Sequence, residues 1–266
     1  MKTRVIAGLC MAPLLAIIYF GGIPLAIAAA LIAYLGVTEF FNGWEAIDVK
    51  PSKYIAYAMI TLLYAGHFIL GPDQTFILAW LFISITAAMI YGWDMNKRGP
   101  YDAMATVLGL VYVVFFSYHI VLLDYHFRMV TWLVVIAAFG SDIMAYFTGY
   151  LIGKHKLAPV LSPKKTIEGA IGGLVGAAFF CGLFAWFFLD RSMFINYIII
   201  GFAGGAFSQA GDLTASAFKR KMGVKDYGHL IPGHGGIMDR FDSIIFVAPL
   251  VYYFIIFGIR ISAIGW

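Results

Sequence analysis

The stretch SAFKRKMGVKDYGHLIPGHGGIMDRFDS, Ser216 to Ser243, is a polar island in a chain made mostly of hydrocarbon. It gathers Lys219, Arg220, Lys221, Lys225 and Arg240 with Asp226, Asp239 and Asp242, and threads His229 and His234 between glycines. Apolar runs long enough to span a bilayer flank it on both sides. The contrast sets the fold class, because only 12% of the 266 residues are charged and 62% are hydrophobic. Soluble domains carry about 25% charged residues. A water-soluble fold of this length cannot hide so much apolar surface, so lipid is the solvent for most of the chain. The two cysteines, Cys10 and Cys181, sit inside apolar runs and offer neither a disulfide framework nor metal-ligand spacing.

A spanning helix needs about 20 mostly apolar residues. Nine segments qualify: 4–20, 22–42, 54–71, 74–92, 102–122, 129–152, 167–189, 195–218 and 243–260. The first follows Lys2 and Arg4 and is expected to be a retained helix, not a cleaved leader. With the N-terminus in the cytoplasm, fifteen of the 18 lysines and arginines fall on the inner side. Arg128, Arg191 and Arg260 alone fall outside. This asymmetry is the positive-inside pattern and supports both the count and the orientation. The expectation is an all-α, polytopic integral membrane protein of about nine transmembrane helices with a cytoplasmic N-terminus. It divides into N-terminal helices, 1–128, and a C-terminal catalytic membrane region, 129–266, with no soluble domain.

Four acids lie within or at the edge of apolar runs: Glu39, Asp142, Glu168 and Asp212. An ionisable group in a bilayer needs a partner or a watery cavity. Glu39 and Glu168 lie near cytoplasmic ends, where interfacial water is sufficient. Asp142 and Asp212 lie deeper, and Asp212 shares a polar stripe with Ser208, Gln209, Thr214 and Ser216. The glycine pairs Gly169/Gly173, Gly172/Gly176 and Gly201/Gly205 stand four apart, the spacing of close helix packing in lipid.

The opening stretch holds residue types suited to phosphate and a hard cation. Asp239 and Asp242 stand three apart, on one helical face. With Asp212 or Asp226 they form a carboxylate set of the kind Mg²⁺ takes, its remaining positions filled by water and phosphate. Lys219, Arg220, Lys225 and Arg240 supply positive charge, and Gly233, Gly235 and Gly236 permit close backbone approach to an anion. Upstream, Ser162 and Pro163 read as the cap and first residue of a helix whose N-terminus, with Lys164, Lys165 and Thr166, is a second anion site. A secondary transporter or cation channel using the buried aspartates is the alternative.

The spaced pattern S216-A-F-K219-R220-x4-K225-D226-x-G228-x3-P232-x-H234-G235-G236-x2-D239-R240-F-D242 resembles the signature of bacterial phosphatidate cytidylyltransferases. The run SDIMAYFTGYLIGKHKLAPVLSPKKTIEG, from Ser141 to Gly169, is similar to that family's preceding region, with Ile143 where many members carry a small polar residue. The resemblance implies a nucleotidyltransferase that moves CMP from CTP to phosphatidate, giving CDP-diacylglycerol and pyrophosphate with Mg²⁺, at the cytoplasmic face of the inner membrane. It implies Asp212 and Asp239 as metal ligands, and Ser216, Lys219 and Asp242 as further catalytic residues. Asp142, Lys164, Lys165, Arg220, Lys225, Asp226, His234 and Arg240 would bind substrate. The acid count leaves room for a second cation. The implied partners are CTP, phosphatidate and membrane lipids, not nucleic acid, with a homodimer left open.

Overall fold

The computed structural model describes residues 15–94, 96–230 and 235–264, with side chains through Gly258. Residues 15–20 are helical. Helix α1 spans Gly22–Glu45. Helix α2, Lys53–Leu70, starts where the Ser52 hydroxyl accepts from the Ile55 N–H at 3.3 Å. Helix α3, Gln74–Tyr91, starts where Asp73 accepts from the Phe76 N–H at 2.8 Å. Each is a side-chain cap on an otherwise orphaned backbone donor. Helix α4, Pro100–Leu108, has proline at its first position, and Asp102 accepts from the Gly99 N–H at 2.8 Å. A π-helical turn, Gly109–Phe115, leads into α5, Phe116–Phe127. After a 3-10 turn, Arg128–Val130, come α6, Thr131–Ile152, and a hairpin. In the hairpin β1, Lys156–Ala158, pairs antiparallel with β2, Ser162–Thr166. The chain closes with α7, Ile167–Phe188, then α8, Phe194–Lys221, and α9, Met238–Ile264.

Among the described residues, seven helical stretches are long and apolar enough to cross a membrane. The difference from nine has two causes. Pro100–Ile152 is one stretch of 53 residues by this measure. At 1.5 Å per residue that is about 80 Å, against about 30 Å of hydrocarbon. Phe127, at φ −145° and ψ 59°, breaks it and returns the two expected spans at 102–122 and 129–152. The first expected span, 4–20, falls mostly outside the described residues. The all-helical, multi-span class stands.

A second expectation is corrected. Ser162 and Pro163 do not open a helix: they begin strand β2, and Lys164 and Lys165 lie on that strand. The helix starts at Ile167, where Thr166, in extended conformation, accepts from the Gly169 N–H at 3.1 Å. Thr-x-x-Gly outcompetes Ser-Pro here because Ser162 pairs with Ala158 across the hairpin.

Contacts group the chain into two compact units: Met1–Val121 with Lys219–Phe241, and Leu122–Phe218 with Asp242–Trp266. The core of the first holds Phe40, Phe41, Ile60, Leu63 and Leu110, with Trp80 donating to the Met59 carbonyl at 2.8 Å. In the second, α6 packs along α7, and α7 meets α8, through the glycines singled out above. A Cβ on Gly201 would stand 2.7 Å from the Ala177 carbonyl and 2.8 Å from the Ala178 Cα. Large apolar side chains such as Phe82, Leu151 and Phe187 stay exposed, a surface for lipid to cover.

Replacing Gly201 with valine should therefore destabilise the detergent-solubilised protein by about 1–3 kcal/mol, the cost of overpacking against backbone. Gly99→Ala, where an added Cβ meets nothing within 4 Å, should leave the thermal midpoint unchanged. Equal midpoints for the two variants would refute the close approach.

Candidate functional site

The first unit organises the polar island around two carboxylates. Asp239, in the first turn of α9, is buried, its side chain 2% exposed. Its Oδ1 accepts from Lys219 Nζ at 2.8 Å. Its Oδ2 accepts from the backbone N–H of Tyr227 at 2.8 Å and of Gly236 at 2.9 Å. Lys219 also lies 5.4 Å from the centre of the Tyr227 ring. Glu39, from the C-terminal third of α1, accepts from the N–H of Ile237 at 3.1 Å and of Met238 at 2.9 Å. Together the two acids satisfy three consecutive donors leading into α9, of which Ile237 and Met238 are among those a helix start leaves unpaired by itself. Gly235, at φ +82°, supplies the left-handed turn that brings Gly236 round to Asp239.

The second unit holds a cavity of about 520 Å³. Asp142 and Tyr146 of α6, Lys164 and Lys165 of β2, and Gln209 and Asp212 of α8 line it. Lys165 Nζ pairs with Asp212 Oδ2, both side chains about one-quarter to one-third exposed. Gln209 donates to the Ala170 carbonyl at 3.0 Å and to Ser141 Oγ at 3.3 Å. The hairpin is tied down by Glu168, which accepts from the N–H groups of Lys154 and His155 and pairs with His155 Nδ1 at 2.6 Å.

These arrangements are suited to handling anions. The cavity wall carries two lysines and two aspartates, with Lys165 and Asp212 already paired. A Mg²⁺ ion shared with nucleotide phosphate takes one or two carboxylates and fills its shell from water and phosphate. Asp212, partly exposed on the cavity wall, fits that role. Asp239 has both oxygens engaged and would have to give up Lys219. Among the described residues no group of three or more His, Cys, Asp or Glu side chains could hold an ion.

Comparison with known proteins now bears on this chemistry. A family model described as the cytidylyltransferase family matches residues 2–257. The chain belongs to the cytidylyltransferase family. Among its relatives, the phosphatidate cytidylyltransferase of Staphylococcus haemolyticus is 35% identical over 257 residues, covering 94% of this chain and 95% of its own. That of Staphylococcus aureus strain COL is 34% identical, with 94% and 97% covered. That of Synechocystis is 35% identical, with 90% and 91% covered. Membership in the cytidylyltransferase family decides for a nucleotidyltransferase over a transporter or channel.

The structure brings together Lys219 with Asp239, and Asp142, Lys164 and Lys165 with Asp212. Asp242 is buried in the second unit and accepts from the Ser243 N–H at 2.7 Å. Ser216 and Asp226 are half-buried, and Arg220 and Lys225 are exposed, with no ion pair to any of them among the described residues. Arg240 is half-buried, and its Nε is buried without a hydrogen-bond partner among the described residues. His234 and Gly233 lie outside the described residues. The sequence reading passed over Glu39 and Glu168 as interfacial, yet both hold loops in place. A glutamate inside an apolar run was the available signal for Glu39.

Asp239→Asn keeps the size but puts an amide where two backbone N–H groups and a lysine need an acceptor. It should cost about 1–3 kcal/mol of stability through unsatisfied buried donors. Asp212→Asn should leave the thermal midpoint unchanged. A midpoint for Asp239→Asn equal to the parent's would show that those contacts do not hold the loop.

Proposed function

We propose that the chain transfers CMP from CTP to phosphatidate, releasing pyrophosphate and leaving CDP-diacylglycerol in the membrane. Family membership, with a charged cavity lined in part by helices apolar enough to cross a membrane, is the observation that supports the reading. A phosphate oxygen of phosphatidate attacks the α-phosphorus of CTP. One P–O bond forms, the bond to the bridging oxygen breaks, and pyrophosphate leaves with its electron pair. Phosphate monoesters have a second pKa of about 6, so the nucleophile is largely ionised at neutral pH and needs no strong base. The difficulty is bringing two polyanions together, which calls for cations more than for proton transfer.

In this reading Lys164 and Lys165 receive phosphate oxygens, and a phosphate arriving at Lys165 releases Asp212. Asp142 and Gln209 line the cavity beside them. Asp212 would hold Mg²⁺, which when bound neutralises charge on phosphate oxygens; Asp239 is the other proposed ligand. Lys219, Ser216, Arg220, Lys225 and Arg240 are assigned to phosphate handling, with Asp226 and Asp242 as supporting carboxylates. The distribution of lysine and arginine supports a cytoplasmic-face reaction at the inner membrane. A homodimer is compatible with the reading and not required by it.

The purified protein, given labelled CTP and phosphatidate in mixed micelles, should place label in a lipid product and release pyrophosphate. EDTA should abolish this, and excess Mg²⁺ should restore it. Lys165→Ala and Asp212→Asn should each lower turnover by about 100-fold, the order seen when one charge-stabilising group is lost. Absence of lipid label in the parent protein would end the proposal. Full turnover in Asp212→Asn would remove that residue from it.

A further inference from the structure

We infer that Glu39 is a positioning residue for the polar island, and that α1 serves as its socket. The inference rests on the activity proposed above for its kinetic consequence but not for its geometry. Glu39 contacts backbone, not a reacting group. One oxygen takes the Ile237 N–H, the other the Met238 N–H. Those donors immediately precede Asp239, whose Oδ2 takes the Gly236 N–H next in line. The carboxylate of Glu39 therefore fixes the direction in which Asp239 leaves the helix, and through it Lys219.

Independent contacts carry the same conclusion. Gly228 and Gly236 both lie against the Glu39 carboxylate, so a Cβ at either position would collide with it; at Gly228 the separation from Oε1 would be 2.5 Å. The two glycines reserve space for this one side chain from opposite ends of the loop. Packing around it agrees. Phe40 sets its ring 5.9 Å from that of Tyr227. A Cβ on Gly43 would touch Met222 Sδ at 2.5 Å. Glu39, Phe40 and Gly43 thus hold Gly236 to Met238, Tyr227 and Met222 from one face of one helix. An acid retained within an apolar helix needs such a reason, since its transfer from water is costly.

A glutamine at position 39 keeps one acceptor but presents an NH₂ group to the other N–H. Glu39→Gln should lower kcat by about 10–100-fold while KM for CTP and for phosphatidate stays within about two-fold, the split expected when geometry and not binding is lost. Glu39→Asp, one methylene shorter, should recover only part of kcat. A purely structural role would lower the thermal midpoint and leave kcat of the folded fraction unchanged, and that result would overturn the inference. A second measurement stands apart from activity. Hydrogen exchange at the Ile237 and Met238 amides should accelerate in Glu39→Gln. Acylation of Lys219, whose side chain is 13% exposed, should accelerate with it, while Lys53 is unaffected. Unchanged exchange and labelling would refute the socket even if the chain proved to catalyse a different reaction. Should Glu39→Gln not fold, Gly228→Ala, which crowds the same carboxylate, is to show the same kcat loss and the same faster exchange. Parent-like behaviour there counts against the inference.

Discussion

A carboxylate carried into a hydrocarbon layer must be met by opposite charge, by donors or by water, and few proteins can leave that demand unanswered. In this chain the answers are explicit. Asp239 has a lysine and two backbone N–H groups. Glu39 has two N–H groups at the start of a helix. Asp212 has Lys165, and Glu168 has the backbone and ring of His155. Glu39 and Asp212 tie together segments distant in sequence, while Asp239 and Glu168 close a loop and a hairpin nearer to hand. The acids thus act as the fixed points from which loops and a hairpin are hung.

Packing makes those answers reachable. Helix–helix association in lipid has little hydrophobic drive and relies on close backbone approach. Gly173 shows the link: a Cβ there would stand 2.7 Å from Gln209 Nε2 and 3.0 Å from the Ser141 carbonyl. Without that space Gln209 could not reach both Ala170 and Ser141. Gly149 and Gly169 play the same part beside Thr166, whose hydroxyl starts α7. The small-residue stripes do more than bring helices together, because they set the depth at which polar side chains on the cavity wall meet their partners.

Much of this was legible in the sequence, for reasons that differ by feature. Hydropathy makes the membrane class and the described spans legible, since it depends on residue content and not on tertiary contacts. The long run from Pro100 to Ile152 divides in the sequence at the polar join Asp124, His126 and Arg128, although Phe127, where the helix breaks, carries no turn signature itself. The glycine pairs were read as packing stripes, and they are. Asp212 stood out because an acid beside Ser208 and Gln209 in an apolar run is hard to explain otherwise. Asp239 stands out in the sequence as an acid at the start of an apolar run, but its dense set of donors is invisible there, because Tyr227 and Gly236 contribute backbone and not side chains. The start of α7 was misplaced because Ser-Pro is a strong local cap signal, and only the pairing of Ser162 with Ala158 overrides it. Glu39, near a cytoplasmic helix end, reads as an acid held by interfacial water, and its true partners lie 198 and 199 residues away, beyond any local pattern.

That separation has a consequence for how the molecule is made. A ribosome adds about 5–20 residues per second, so about 10–40 s pass between the synthesis of Glu39 and that of Ile237. During this interval α1 is already in the bilayer and its glutamate has no backbone to receive. Its place only six residues from the end of α1 lets water and lipid head groups hold it meanwhile. The polar island, for its part, emerges near the end of synthesis onto a surface that is already built. Assembly of this region is therefore a late docking step, and a nascent chain stalled before residue 237 would display the waiting socket.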